Sequence, residues 1–372
     1  MIPLVKRFII WLLLVFPNTI LRKLLKVLKI NSKAHCIIKS LVYTKSQYRS
    51  LNWKLDFSLQ LRSDIKPKSI VFIDNCYGGI TDCFKSMISL FDFCCKNNYS
   101  FKIYKKKPFD FERFFCPSGY DWHLSDDDYN VLSSKRALHL WLSNDETYHS
   151  NTWQYQQYTL RFLFNSNFFN HILVHYSAPH SLSSKSFKTL FSPSIILGKE
   201  LEYHKNKLGD DYISVSFRFV NLLGDSNEIV CGYKSLDSEE QQGLIDANLS
   251  VLKKLIGMNS NKKFLVTSDS FGFISAVEGA LLDNVYFIKG SEVHHHIAFS
   301  DNVSDNEVTK SYVEFMLISE SEVAYQIQIC PMYESKFPKW AACVNNVPYY
   351  LIRLSDIGDI DSDLTPISVS YY

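Results

Sequence analysis

Tyr212 to Val220 (YISVSFRFV) is a run of β-branched and aromatic residues with a single cation set inside it, the composition of a buried strand that delivers a charge at its end. Asn221, Gly224, Asp225 and Asn227 follow and mark a loop. A second apolar run, Phe264 to Val266, ends in Thr267, Ser268, Asp269 and Ser270, a small polar cluster suited to cap a helix beginning near Phe271. Further strands are predicted over Ile70 to Ile73 and Val285 to Ile288. The first leads through Asp74-Asn75-Cys76-Tyr77-Gly78-Gly79 into Thr81 to Cys95, where apolar residues recur at helical spacing. In open α/β sheets ligands bind outside the carboxyl ends of the strands, where Arg218 and the Thr267–Ser270 cluster both fall.

These positions set out candidate chemistry, each with a plainer alternative. A cation is seldom buried without a partner, so Arg218 is expected to reach an anion. A pyrophosphate suits its planar fork; a structural ion pair is the other option. Asp269 and Ser270 read either as ligand-holding groups or as a helix cap. Gly78 and Gly79 allow close backbone approach and present amides at a helix start, although paired glycines before a helix are also ordinary turn chemistry.

At the N-terminus Phe8 to Phe16 is wholly apolar. Leu21, Leu24, Leu25 and Leu28 form a stripe opposite Arg22, Lys23, Lys26 and Lys29. The uncharged stretch from Phe8 to Leu21 is broken by Pro17 and is shorter than the roughly 20 residues of a spanning helix. An amphipathic segment lying on an anionic membrane surface accounts for both faces. A signal peptide lacks a small-residue cleavage site here, a signal anchor lacks a stem-like linker, and packing of the leucines on the protein's own core remains open. Charge sharpens the picture: the first 55 residues hold eleven Lys and Arg and no acid, so of the net +2 the remainder carries −9. A nucleic-acid arm would leave the leucine stripe unexplained.

Composition adds limits. With 372 residues, 46% of them hydrophobic and 15% aromatic, the chain is long enough for two domain cores and disorder is not expected. The nine cysteines lack Cys-x-x-Cys spacing, which leaves buried thiols in a reducing compartment as the simplest account. His294-His295-His296 point in different directions on any regular backbone and are read as a surface or cleft-lining loop. Asp126-Asp127-Asp128 are read as a helix start. The aromatic stretches Phe109 to Trp122 and Thr152 to Phe169 suit an acceptor pocket or, more commonly, core.

Near the C-terminus the chain runs Glu314-Phe315 and, further on, Glu334-Ser335-Lys336-Phe337-Pro338-Lys339-Trp340-Ala341-Ala342. Together with strand-Arg218-loop and strand-Thr267-Ser268-Asp269-Ser270-helix, this layout resembles the fucosyltransferase-like, inverting glycosyltransferases, which include bacterial α-1,2-fucosyltransferases and protein O-fucosyltransferases. The likeness covers about residues 210 to 345. This chain has Ser216-Phe217 where the family has a His-containing dipeptide, and Arg218-Phe219-Val220-Asn221 where it has Arg-Arg-Gly-Asp, with Gly224-Asp225 further on.

The resemblance implies a GT-B fold: two Rossmann-like α/β domains facing a cleft, preceded by the basic amphipathic helix. The expected division is 1–40 membrane-associating, 41–205 acceptor side, 206–345 donor side and 346–372 an acidic tail. It implies a sugar nucleotide co-substrate, GDP-fucose first and another UDP- or GDP-hexose second, with no metal cofactor and a glycan or lipid-linked glycan as acceptor. Donor-binding residues are expected to be Gly78, Gly79, Arg218, Thr267, Asp269, Ser270, Ser335, Lys336 and Phe337. Arg218 is expected to stabilise the leaving diphosphate, and Asp225, with Glu228 second, to take the acceptor proton. The expected setting is synthesis of a bacterial surface polysaccharide, O-antigen or capsule, on the cytoplasmic face of the inner membrane. A non-catalytic scaffold tethered to the membrane is the competing class.

Overall fold

A computed structural model describes residues 18–27, 33–50, 68–73, 79–106, 109–124, 137–142, 152–165, 171–176, 182–225, 232–290, 305–355 and 367–368. The chain forms two compact units. One takes its residues from Met1–Phe111, Pro117–Leu182 and Thr189–Phe191, the other from Glu112–Cys116, Ser183–Lys188 and Ser192–Tyr372.

The first unit begins with helices α1 (Asn18–Val27) and α2 (Lys33–Ser50). Strand β1 (Ser69–Phe72), helix α3 (Ile80–Asn97) and strand β2 (Ser100–Ile103) follow. After β3 (Phe115–Pro117) come β4 (Ala137–Trp141), α4 (Thr152–Asn165) and β5 (His171–Tyr176). The sheet runs β2-β1-β5-β4 with every pairing parallel, and β1 is buried along its whole length. Such a strand needs apolar side chains on both faces, as Ile70, Val71 and Phe72 supply. α3 buries Phe84, Met87, Ile88, Phe91 and Phe93, and ends at Asn98, a left-handed residue whose N–H returns to the carbonyls of Cys94 and Cys95. The helix expected over Thr81 to Cys95 is thus present and slightly longer.

The expected boundary at 40/41 falls inside a helix. α2 runs straight through 40/41 because Ile38, Leu41 and Val42 are buried and Thr44 Oγ1 accepts the N–H of Trp141 at 3.1 Å. On α1, Arg22, Lys23 and Lys26 are exposed but Leu21 is fully buried, so for that leucine packing within the protein is the outcome. The run Phe8–Phe16 and Leu28 lie outside the described residues, and among those described no helix is long and apolar enough to cross a membrane. Phe111, Phe114, Phe115 and Trp122 are core, the commoner reading of the aromatic stretch. Asp126–Asp128 lie outside the described residues.

Helix α5 (Ser184–Leu190) and strand β6 (Phe191–Pro193) lie where the chain passes from one unit to the other. The second unit continues with α6 (Ile195–Leu208), β7 (Tyr212–Phe217), α7 (Ser238–Met258) and β8 (Lys263–Ser268). Then come α8 (Phe271–Gly279), β9 (Val285–Tyr286), α9 (Asp305–Glu320) and β10 (Val323–Ile329). α10 (Phe337–Asn345), β11 (Tyr349–Leu354) and the antiparallel edge strand β12 (Ile367–Ser368) complete it. Its sheet order is β12-β11-β10-β7-β8-β9, and all pairings but the last-formed edge are parallel. Alternate residues of β7 serve opposite faces. Ile213, Val215 and Phe217 join Leu244, Val251 and Leu252 of α7 and Phe273 and Val277 of α8 in one core. On the other face the Tyr212 hydroxyl donates to Leu317 O of α9 at 2.6 Å, and the hydroxyls of Ser214 and Ser321 are 3.0 Å apart.

The second unit is therefore larger than the expected 206–345. α6 belongs to it through buried Leu197, Leu201 and Leu208, and Tyr349–Leu354, placed by the sequence reading in a tail, is a largely buried strand.

Candidate functional site

The chain order of the second sheet places a switch point. From β7 the chain builds outward through β8 and β9, then returns to add β10 and β11 on the other side. In an open parallel sheet the crevice at the carboxyl ends of the two strands flanking that reversal is where ligands bind. Here those strands are β7 and β10. The residue following β7 is Arg218, and the segment following β10 carries Glu334, Ser335 and Lys336.

A polar row leads to this edge. Ser216 of β7 sits in register with Thr267 of β8 and Gln326 of β10, and the Ser216 and Thr267 hydroxyls are 2.8 Å apart. Each is buried, so each needs a partner, and the sequence supplies polar residues at matching positions of three strands.

Beyond the row the chain turns sharply. The Asp269 side chain, 1% exposed, accepts the N–H of Phe219 at Oδ1 (2.8 Å) and the N–H of Val220 at Oδ2 (2.7 Å). Its Oδ2 also lies 3.1 Å from Nη1 of Arg218, whose side chain is 18% exposed. Val220 has φ +57°, a conformation that a β-branched residue avoids at a cost on the order of 1–3 kcal/mol. At the far end of the loop Asp225 Oδ2 accepts from the Ser270 hydroxyl (2.7 Å) and from the N–H of Gly272 (2.8 Å). Ser270 also accepts the N–H of Phe273 at 3.0 Å, which makes it the N-cap of α8 predicted from the sequence. The loop of residues 218–225 is therefore tied at both ends to the segment 269–272.

The segment after β10 is held differently. Gln326, buried in the strand, accepts the N–H of Ser335 at 2.7 Å, donates to its carbonyl at 2.8 Å, and bonds to the Tyr349 hydroxyl at 2.6 Å. Ser335 Oγ accepts the N–H of Phe337 at 3.2 Å, and the Phe337 ring meets Phe315 edge-on with centroids 5.6 Å apart. Lys336 is ion-paired with Glu334, which also takes Nη2 of Arg353 at 2.6 Å. Lys336 and, after it, Arg353 hold the Glu334 carboxyl below the usual range against the opposing effect of partial burial.

Of the residues predicted to bind donor or perform catalysis, Arg218, Asp225, Asp269 and Ser270 share one connected set of contacts, with Thr267 just beneath. Ser335, Lys336 and Phe337 occupy the turn after the other flanking strand. Gly79, in the first unit, is the N-cap of α3 with φ −70°, and a side chain there would meet open space. Gly78, Glu228 and His294–His296 lie outside the described residues. Among those described, no group of His, Cys, Asp and Glu is placed to hold a metal ion. Gln326 was not singled out from the sequence. Its signal was a buried-type strand, VAYQIQI, with an amide at a position facing neither turn nor solvent.

No family model matches the sequence, and no curated protein matches it either. Solved structures do. The fucosyltransferase NodZ from Bradyrhizobium superposes with a TM-score of 0.51 at 14% identity, over 82% of this chain and 100% of that one. The NodZ α-1,6-fucosyltransferase soaked with GDP-fucose gives 0.50 at 14%, over the same shares. A point mutant of Arabidopsis thaliana FUT1 in complex with GDP gives 0.48 at 12%, over 86% of this chain and 80% of that one. At such identities the likeness to NodZ is one of architecture: the fold of this chain is fucosyltransferase-like and α/β, with two units built on parallel sheets as the GT-B reading expected.

Proposed function

We propose that this chain is an inverting, metal-independent glycosyltransferase that moves a sugar, fucose from GDP-fucose in the first instance, onto a glycan or lipid-linked glycan acceptor. The observation that carries this reading is Arg218, whose side chain is partly exposed at the carboxyl end of β7, beside the switch point of a fucosyltransferase-like fold. When the bond from the sugar C1 to the diphosphate breaks, negative charge gathers on the leaving oxygens. A fixed guanidinium offers two parallel donors to that charge and needs no reorganisation as it develops.

Thr267, Asp269 and Ser270 build the floor beside Arg218, and Ser335, Lys336 and Phe337 border it across the switch point. Displacement with inversion also needs a proton acceptor for the incoming hydroxyl. Asp225 is the first candidate: it is exposed, and its contacts with Ser270 and Gly272 both fall on Oδ2. Glu228 is the second. The basic first 55 residues, with Arg22, Lys23 and Lys26 exposed on α1, support a peripheral place on an anionic membrane, and we assign the product to a bacterial surface polysaccharide such as O-antigen or capsule.

A ligand that binds only the folded state raises its stability, by about 2.7 kcal/mol at a concentration 100 times its Kd. Melting temperatures with GDP, GDP-fucose, GDP-mannose, UDP-glucose and UDP-galactose, with and without EDTA, test the reading. An EDTA-insensitive rise with guanosine compounds is expected. A rise with uridine compounds alone transfers the assignment to another sugar nucleotide. No rise from a folded sample overturns it in favour of a tethered scaffold.

A further inference from the structure

We infer that Asp269 is a positioning residue, whose buried carboxylate fixes the turn after β7 and aims the Arg218 guanidinium, and that it does not itself hold the nucleoside. This rests on the reading of Arg218 as the cation for the donor diphosphate.

A carboxylate that gripped a ribose or base would need an oxygen turned to the crevice. The Asp269 side chain is 1% exposed, and both of its oxygens are committed inward, Oδ1 to the N–H of Phe219 and Oδ2 to the N–H of Val220 and to Nη1 of Arg218. The three donors come from consecutive residues. A single anion therefore reads the backbone of the turn and the direction of the side chain that leaves it.

The turn needs such a clamp. Val220 sits at φ +57° with its side chain fully buried, a conformation that a free loop would abandon. Charge-assisted bonds from one buried carboxylate to two successive amides oppose that relaxation. Arg218, sharing the anion, keeps some of its remaining surface open, as its 18% exposure shows. An arginine in this position meets a diphosphate already oriented, so substrate binding does not have to order it. Asp225 ties the other end of the loop to Ser270 and Gly272, so the segment following β8 holds the whole loop following β7.

The test uses the full chain with Asp269→Asn, which keeps the shape and removes the charge, and compares GDP with guanosine by calorimetry. Asp269→Asn is expected to weaken GDP about tenfold while guanosine stays within twofold. In an Arg218→Ala background it is expected to change GDP affinity less than twofold, because the two residues act as one unit. With selective ¹⁵N-Phe and ¹⁵N-Val labels and no nucleotide present, the amide protons of Phe219 and Val220 are expected at low field and to move upfield in Asp269→Asn. Equal losses for GDP and guanosine overturn the proposal and return Asp269 to the nucleoside. Additive losses in the double variant, or amides that do not move, overturn it too. If the native protein binds neither ligand, the reading of Arg218 fails, whereas the amide signals still decide whether Asp269 holds the turn. Should Asp269→Asn not fold, Asp269→Glu, which keeps the charge and displaces it by one methylene, carries the same comparisons.

Discussion

At the scale of single residues, Arg218 is ion-paired to Asp269, the structural option the sequence allowed, and its side chain is still partly exposed at the sheet edge. Arg218→Ala is expected to lower transfer by about 10²–10³ in kcat, the scale of losing one preorganised electrostatic group, with the fold retained by circular dichroism. Activity within threefold of the native protein would remove Arg218 from the site. Tyr212 gives a test of stability alone. Burial pushes its phenol far above the ordinary range, and its hydroxyl satisfies Leu317 O. Tyr212→Phe removes that hydrogen bond and is expected to cost about 0.5–1.5 kcal/mol in urea unfolding of the second unit. His204 makes a pH prediction. Burial lowers its pKa below 6.5, ahead of the smaller opposing effect of Glu200, and Nδ1 meets the Tyr286 hydroxyl at 2.6 Å. A histidine held neutral in the fold contributes stability above its unfolded value, which is lost as pH falls through the lowered folded value. The melting temperature of His204→Gln is therefore expected to fall less steeply below pH 6.5 than that of the native chain; equal slopes would contradict this. The sequence marked Arg218 as needing an anion but could not say which, because Asp269 is separated from it by a whole helix and strand. Nor does any composition rule reveal Val220 in a left-handed turn.

At the scale of elements, strands and caps were readable where residue type alone decides them. β7 and β8 follow from runs rich in β-branched and aromatic residues, and Ser270 caps α8 as its chemistry predicts. α7 carries a fuller signal that the reading passed over: Asp237 accepts from the amides of Glu239 and Glu240, and the Glu240 side chain returns to the Asp237 amide. Asp237→Ala is expected to destabilise by about 1 kcal/mol, with Asp237→Ser restoring most of it, measured by denaturant midpoints; no loss in the alanine variant would show that the cap is dispensable. β11 was missed because its neighbours misled. The acids that gave the tail its character lie after residue 355, whereas YYLIRL pairs in register with β10.

For the whole molecule, length and apolar content sufficed for two units, and the three separated motifs sufficed for the fold. Their boundary was harder, because the second unit also takes in 112–116 and 183–188, and contributions interleaved along a chain leave no compositional seam. The charge split between the first 55 residues and the rest was plain in the sequence, but the burial of Leu21 is a tertiary outcome that helical spacing cannot give. What joins these levels is chain order in the second sheet, which brings a strand-end arginine to the switch point.

The most direct measurement is release of GDP from GDP-fucose by the native chain with water as acceptor, the anomeric configuration of the freed fucose being read by NMR before it mutarotates, and Arg218→Ala run beside it. Release in EDTA, with inverted configuration and a loss of about 10²–10³ in the variant, is the expected result. Release unaffected by Arg218→Ala, or a product of retained configuration, would contradict the account.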